Sequence, residues 1–249
     1  ITWTVTDIHG NTNSCVQLVT IVDDDAPTIT CAVDQDQGTD DGTCSATVTV
    51  ITPAVADNCS DVTLLNSYNN TANASGNYPL GTTTVIWTAT DSHGNTNTCA
   101  QHITITDDEL PVITCAAGLT HLADPGLCNA SVTVTSPTVS DNCGVATVLN
   151  SFNGTSNASG TYPVGTTVVL WTVTDMQGNT NACEQSITVI DDQDPVINCA
   201  MDQMQGADPG LCSAYVNVSG PLAEDNCSVA SIINSYNNES IASGNYPVG

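Results

Sequence analysis

Hydrophobic and polar residues alternate along most of this chain, and the alternation predicts strands. From Cys44 to Ile51, Ala46, Val48 and Val50 share one face while Thr47 and Thr49 take the other. From Thr84 to Thr90, Val85, Trp87 and Ala89 point one way and Ile86, Thr88 and Thr90 the opposite way. Cys99, Gln101, Ile103 and Ile105 fall in one phase of the next segment. A period of two with β-branched residues marks a half-buried strand. No segment keeps a 3.6-residue apolar period for two turns. Gly94-Asn95 turns one strand back into the next. About seven such strands per 84 residues is the strand count of a β-sandwich.

The alternation is itself repeated, with a period of 84 residues. Trp3, Trp87 and Trp171 are in register, as are Cys15, Cys99 and Cys183. So are Cys31, Cys115 and Cys199; Cys44, Cys128 and Cys212; Cys59, Cys143 and Cys227; and Pro27, Pro111 and Pro195. A fixed period of this length means an array of like domains, not a short-repeat solenoid. The natural joints are acidic linkers that end in proline: Asp23 to Pro27, Asp107 to Pro111, and Asp191 to Pro195. They divide the chain into 1–22, 23–106, 107–190 and 191–249. The first segment reads as the final hairpin of a preceding repeat, and the last as a repeat without that hairpin.

Cysteine count and charge narrow the class. Twelve cysteines without any C-x-x-C pair read as a disulfide framework, and disulfides place the chain outside the cytosol. No apolar run approaches the ~20 residues that span a membrane. Ile1-Thr2-Trp3-Thr4 lacks the basic and apolar regions of a signal peptide, so the chain reads as mature, or as an excerpt of something longer. There is no lysine or arginine against 26 acidic residues. That excludes nucleic-acid binding through cationic phosphate contacts and any arginine-based anion site. A net charge of −26 needs solvent cations to offset its self-repulsion.

The residues now reach a resemblance. Asp107, Pro111, Ile113, Cys115, Gly126, Cys128, Ala130, Val132, Asp141, Asn142, Cys143, Tyr162, Pro163, Gly165, Trp171, Asp175, Gly178, Asn179 and Cys183 form a pattern that resembles the hyalin repeat (HYR) module. The pattern recurs along the whole chain. The resemblance implies an all-β fold of tandem Ig-like antiparallel sandwiches, a place in the extracellular matrix or on the cell surface, and an adhesive role; it supplies no ligand.

On an Ig-like layout the first two cysteines of a repeat lie on neighbouring strands A and B, and the last two lie at one pole. The expected bridges are Cys31–Cys44, Cys59–Cys99, Cys115–Cys128 and Cys143–Cys183, although four cysteines permit three connectivities. Cys199 and Cys212 continue the pattern, and Cys227 is expected to reach Cys15 across a junction. The same layout brings each linker together with a B–C loop and an F–G turn. It gathers Asp23, Asp24, Asp25, Asp57 and Asp91; Asp107, Asp108, Glu109, Asp141 and Asp175; and Asp191, Asp192, Asp194 and Asp225. Single acids there would be solvated turn residues. Converging acids without any basic partner point to structural calcium, which takes 6–8 oxygen ligands.

N-x-S/T sequons make Asn69, Asn73, Asn129, Asn153, Asn157, Asn217 and Asn238 candidate N-glycan sites, and outward threonine rows are candidates for O-glycans. Asn58 and Asn226 open N-C-S strings assigned instead to the calcium and disulfide geometry. His9, His93, His102 and His121 are too scattered for a transition-metal site, and no catalytic constellation repeats.

The reading is a structural segment of an extracellular fibre, matrix or stalk, stiffened by calcium, with copies of itself joined head to tail as partners. The alternative is a cell-surface adhesin that binds a glycan or a surface protein through its loops. Residues 1–22 of one copy are expected to complete 191–249 of the next.

Overall fold

The computed structural model describes residues 1–59 and 61–249; Ser60, the last residue of the first N-C-S string, lies outside them. Every regular element among the described residues is a strand. Two compact units, Ile1–Glu109 and Leu110–Gly249, are described separately.

The first unit opens with a hairpin of β1 (Thr2–Thr6) and β2 (Thr12–Val16). It continues with β3 (Thr28–Thr30), β4 (Gln35–Gly38), β5 (Ser45–Val48), β6 (Ala54–Ala56), β7 (Thr63–Asn66), β8 (Gly76–Pro79), β9 (Gly81–Thr90) and β10 (Thr96–Thr106). One sheet runs β4-β10-β9-β7. The facing layer consists of β5 paired with β8 and β3 paired with β6. The chain from β5 to β6 follows one path broken at buried Pro53, which has no N–H to give a ladder. Between the layers lie the inward residues of the period-two segments: Ala46, Val48, Val50, Val85, Trp87, Ile103 and Ile105, joined by Ala74 and Tyr78. Buried Gln101 accepts the Trp87 indole N–H at 3.0 Å and donates to Val33 O at 2.8 Å, so the polar residue in the apolar phase is satisfied.

The second unit repeats this plan with β11 (Val112–Thr114), β12 (Leu119–Leu122), β13 (Asn129–Val132), β14 (Thr138–Ser140), β15 (Val145–Asn150), β16 (Gly160–Pro163), β17 (Gly165–Asp175) and β18 (Thr180–Ile190). Trp171 and Gln185 stand in for Trp87 and Gln101, with an indole bond of 3.1 Å. Phe152 stacks on Tyr162, as Tyr68 does on Tyr78, with ring centroids 4.2 and 4.3 Å apart. The ring of Phe152 lies directly over Gly160, where an added Cβ would sit 2.8 Å from Cε1. The unit continues with β19 (Val196–Asn198), β20 (Ser213–Val216), β21 (Leu222–Glu224) and β22 (Gly244–Pro247), paired β19-β21 and β20-β22. Ala214, Val216, Ile232, Tyr246 and Val248 there line an open apolar cleft. In the β1–β2 hairpin Trp3 is 58% exposed, whereas its counterparts Trp87 and Trp171 are fully buried.

Two features differ from the sequence reading. The sandwiches are not wholly antiparallel: β4 runs parallel to β10, and β12 parallel to β18. The cysteine pairing is also different. Cys31 bridges Cys99, and Cys115 bridges Cys183, so Cys31–Cys44, Cys59–Cys99, Cys115–Cys128 and Cys143–Cys183 do not form. The strand directions explain it. β3 pairs antiparallel with β6, Thr30 facing Ala54, so Cys31 lies beside the far end of the path that Cys44 begins. After Cys31 the chain crosses to the opposite sheet and runs along β10, which brings Cys31 over Cys99. Cys128 pairs with Cys227, Cα atoms 4.6 Å apart, so Cys227 cannot reach Cys15. Cys44 and Cys143 are also disulfide-bonded. Cys15, Cys59, Cys199 and Cys212 carry free, exposed thiols.

Candidate cation site at the domain pole

The pairing of β3 with β6 sets Thr28 opposite Ala56, so the linker before β3 and the loop after β6 emerge side by side. The β9–β10 hairpin turns at the same end. Three loops therefore meet at one pole of the 23–106 repeat, each carrying acids.

Asp91 organises the hairpin turn. Its Oδ1 accepts the N–H groups of His93 and Asn95 at 2.8 and 2.9 Å, and its Oδ2 accepts Asn95 Nδ2 at 2.8 Å. Burial pushes the Asp91 carboxyl up, but these donors outweigh it and the net shift is downward. Asp175 is held in the same way by Gln177, Gly178 and Asn179, and Asp7 by His9 and Asn11. Asn95 Nδ2 also donates to Asp23 O at 3.2 Å, and Asn97 Nδ2 to Pro27 O at 3.0 Å, which ties the linker to the turn.

Asp23 is the buried member, its side chain 6% exposed. Its Oδ2 has no hydrogen-bond donor; His93 Nδ1 approaches it to 3.4 Å, a charged contact only if the imidazole is protonated. Ligand atoms of Asp23, Asp91 and His93 lie within 4.8 Å of one another. Beside them, Asp57 Oδ2 accepts Cys59 N at 2.9 Å and Asp25 Oδ2 accepts Asn58 Nδ2 at 3.3 Å. The Cys59 thiol reports the field: desolvation first, then Asp23, Asp57, Asp25 and Asp91, push its pKa up. In the second unit Asp141 and Asp175 bring carboxylate oxygens within 4.8 Å, and Asp141 Oδ2 is buried without a donor. In the last repeat Asp225 Oδ1 accepts the Cys227 and Ser228 N–H groups, and Asn226 Nδ2 donates to Asp191 Oδ1 at 3.1 Å.

The structure thus separates the acids that the sequence grouped. Asp23 and Asp91 converge with His93, while Asp57 and Asp25 lie near the neighbouring Cys59 thiol. Asp24 is exposed, as are Asp192 and Asp194. Asp108 lies against Gly38, and Glu109 Oε2 accepts Gly42 N at 2.9 Å, so these two acids face the far end of the repeat before them. Gln193, in register with Glu109, takes Gly126 N at 2.8 Å without a charge; the position needs an acceptor oxygen, not an anion. Asp107 is buried, with Thr39 Oγ1 at 3.5 Å from its Oδ1. His93 is an exposed turn residue with Gln177 one period later, and the turn geometry brings its Nδ1 to 3.4 Å from Asp23 Oδ2, a contact with no signal in the sequence.

Asn69 and Asn153 sit in a closed turn, where their Nδ2 groups donate to Asn73 O and Asn157 O at 2.8 Å. Asn73 and Asn157 are exposed and accept Ser75 N and Ser159 N. Asn217 and Asn238 are exposed, while Asn129 is half-buried in β13.

Comparison with known proteins adds the following. The HYR domain family matches residues 22–105 and 106–189. Hyalin of Lytechinus variegatus is 34% identical over 196 residues, covering 76% of this chain and 36% of that protein. Hyalin of Strongylocentrotus purpuratus is 29% identical over 259 residues, covering 100% of this chain and 21% of that protein. The mouse sushi, von Willebrand factor type A, EGF and pentraxin domain-containing protein 1 is 30% identical over 185 residues, 72% of this chain and 5% of that protein. The chain spans 36% or less of the length of each of these. Among solved structures, mouse cadherin-23 EC22-24 matches 90% of the chain at 12% identity and a TM-score of 0.37.

Proposed function

The chain belongs to the HYR domain family, and on that premise we propose that it is a structural segment of an extracellular array whose modules follow one another head to tail, stiffened by calcium at their poles. Membership makes the modules structural or adhesive and not enzymatic, and the disulfides fit an oxidising, extracellular setting. Calcium and the array are our reading.

One observation carries it. Asp23 holds a buried carboxylate oxygen without a donor, next to Asp91, in a chain that has no lysine or arginine to neutralise it. A buried carboxylate is stable only when paired or bound to a metal. Carboxylate oxygens outnumber the one imidazole nitrogen of His93 there, which favours a hard cation with flexible coordination, and calcium outside cells is abundant enough to fill sites of ~10⁻⁴–10⁻³ M affinity. Asp23, Asp57 and Asp91 would hold the ion, with Asp25 and Asn58 at its edge. In the second repeat the corresponding acids within one unit are Asp141 and Asp175, and in the third Asp191 and Asp225. When bound, calcium would cancel the repulsion between linker and turn, so that the linker direction becomes fixed. Asn73 and Asn157, exposed in polar turns, are the N-glycan acceptors this reading favours.

The test is small-angle scattering and thermal melting with chelator and with added calcium. Chelation should shorten or broaden the scattering profile and lower the melting temperature, and calcium should restore both. The Asp23→Asn variant should lose much of that response. Identical profiles and melts in both conditions would refute a calcium role.

A further inference from the structure

The sequence Ala123-Asp124-Pro125-Gly126-Leu127-Cys128 recurs letter for letter as Ala207-Asp208-Pro209-Gly210-Leu211-Cys212. The first of these turns is engaged by the repeat that follows it. Gly126 N donates to Gln193 Oε1 at 2.8 Å, and Gln193 Nε2 donates back to Asp124 O at 3.2 Å. Asn226 Nδ2 donates to Leu127 O at 2.9 Å, and Cys128 bridges Cys227. The turn therefore receives two elements: an acceptor side chain from the linker and an Asp-Asn-Cys loop.

The second turn has the same form. Asp124 N bonds Asn129 O at 2.7 Å and Leu127 N bonds Asp124 O at 2.9 Å; Asp208 N bonds Ser213 O and Leu211 N bonds Asp208 O, both at 2.9 Å. Gly126 and Gly210 hold φ of 75° and 78°, which an L side chain adopts only with strain. Yet Cys212 at its end is free and exposed, and Leu211 is exposed beside it. The matching loop is present elsewhere in the chain: Asp57-Asn58-Cys59, with Cys59 N on Asp57 Oδ2 at 2.9 Å, as Cys227 N sits on Asp225 Oδ1 at 2.8 Å. Cys59 is likewise free and exposed. Asp25 stands in register with Gln193 and would be the acceptor that a second copy offers to Gly210.

We infer that the 207–212 turn is a docking site for the Asp57–Cys59 loop of a second copy, closed by a Cys212–Cys59 disulfide with the Asn58 amide on the Leu211 carbonyl. The turn is already formed, so docking orders little new chain. Each bridge of this kind ties one module to the next, so tension along the array is carried by covalent bonds. The two thiols lose two protons and two electrons to a disulfide oxidant, which is reduced to two thiols. The inference rests on the head-to-tail reading and is independent of calcium.

The test is a disulfide map of the native protein. Free thiols are alkylated, the chain is cut with an Asp- and Glu-specific protease, and unreduced peptides are weighed. The Cys212 peptide should be recovered linked to the Cys59 peptide, in the same digest as Cys128 linked to Cys227. In the Cys212→Ser variant the Cys59 peptide should be recovered alkylated. Recovery of Cys212 alkylated or bonded elsewhere overturns the inference, as does a Cys59 disulfide that persists in the variant. Straight multi-module arrays in electron micrographs with Cys212 alkylated would overturn the staple and leave the head-to-tail reading standing.

Discussion

Removing the bridge between Cys115 and Cys183 gives the sharpest test of the observed pairing. The two cysteines are 68 residues apart in sequence, and closing a loop of that length restricts the unfolded chain by an entropy worth ~4 kcal/mol at 25 °C. The double variant Cys115→Ala/Cys183→Ala should therefore lower the melting temperature of the second repeat by roughly 15–30 °C, at 4–8 °C per kcal/mol for a domain of this size. Cys183 faces Trp171 across the β17–β18 ladder, so indole fluorescence follows the site directly. Trp87, opposite Cys99, reports the untouched first repeat in the same scan. The assay is calorimetry with tryptophan fluorescence, followed by thiol titration in denaturant. With the observed pairing the variant exposes no new thiol. With Cys115–Cys128 and Cys143–Cys183 it would release Cys128 and Cys143 as titratable thiols. New thiols, or a loss below ~1 kcal/mol, would refute both the pairing and the strand layout that explains it.

The turn carboxylates predict a pH dependence. Burial raises the Asp175 carboxyl, the Asn179, Gln177 and Gly178 donors outweigh it, and the net pKa falls below 3.8. A depressed acid contributes stability above its unfolded pKa and loses it as pH falls through its folded one. Asp175→Asn should melt lower than the native chain near pH 7, and the two curves should converge at low pH; curves parallel at every pH would remove the turn from the account. Gly160→Ala drives a methyl into the Phe152 ring and should destabilise the second repeat by ~1–3 kcal/mol, whereas Gly206→Ala, in open space, should leave the melt unchanged.

The repeat and the buried faces of its strands were legible in the sequence. The period of 84 is exact in the cysteines, tryptophans and linker prolines, and alternation set Val85, Trp87 and Ala89 on one face and Ile103 and Ile105 on one face, the faces that are buried. Side-chain direction in a strand is local, so a period of two is enough to read it. The pole was legible in part, because the Ig-like layout implied by the resemblance brings a linker, a B–C loop and an F–G turn to one end.

Folding alone fixes which neighbours those residues meet. The Ig-like layout pointed to Cys44 as the partner of Cys31. The crossing of the chain from β3 to β4, parallel to β10, chooses Cys99. The partner of Cys128 lies in the next repeat and cannot be read from a single one. The linker acids look alike in sequence, yet Asp23 is buried beside Asp91 while Glu109 faces the Gly42 turn. In an extended linker successive side chains point in different directions, so only folding assigns each acid its pole. Burial, donors and bridges are properties of packing between distant segments, and they were fixed when those segments met.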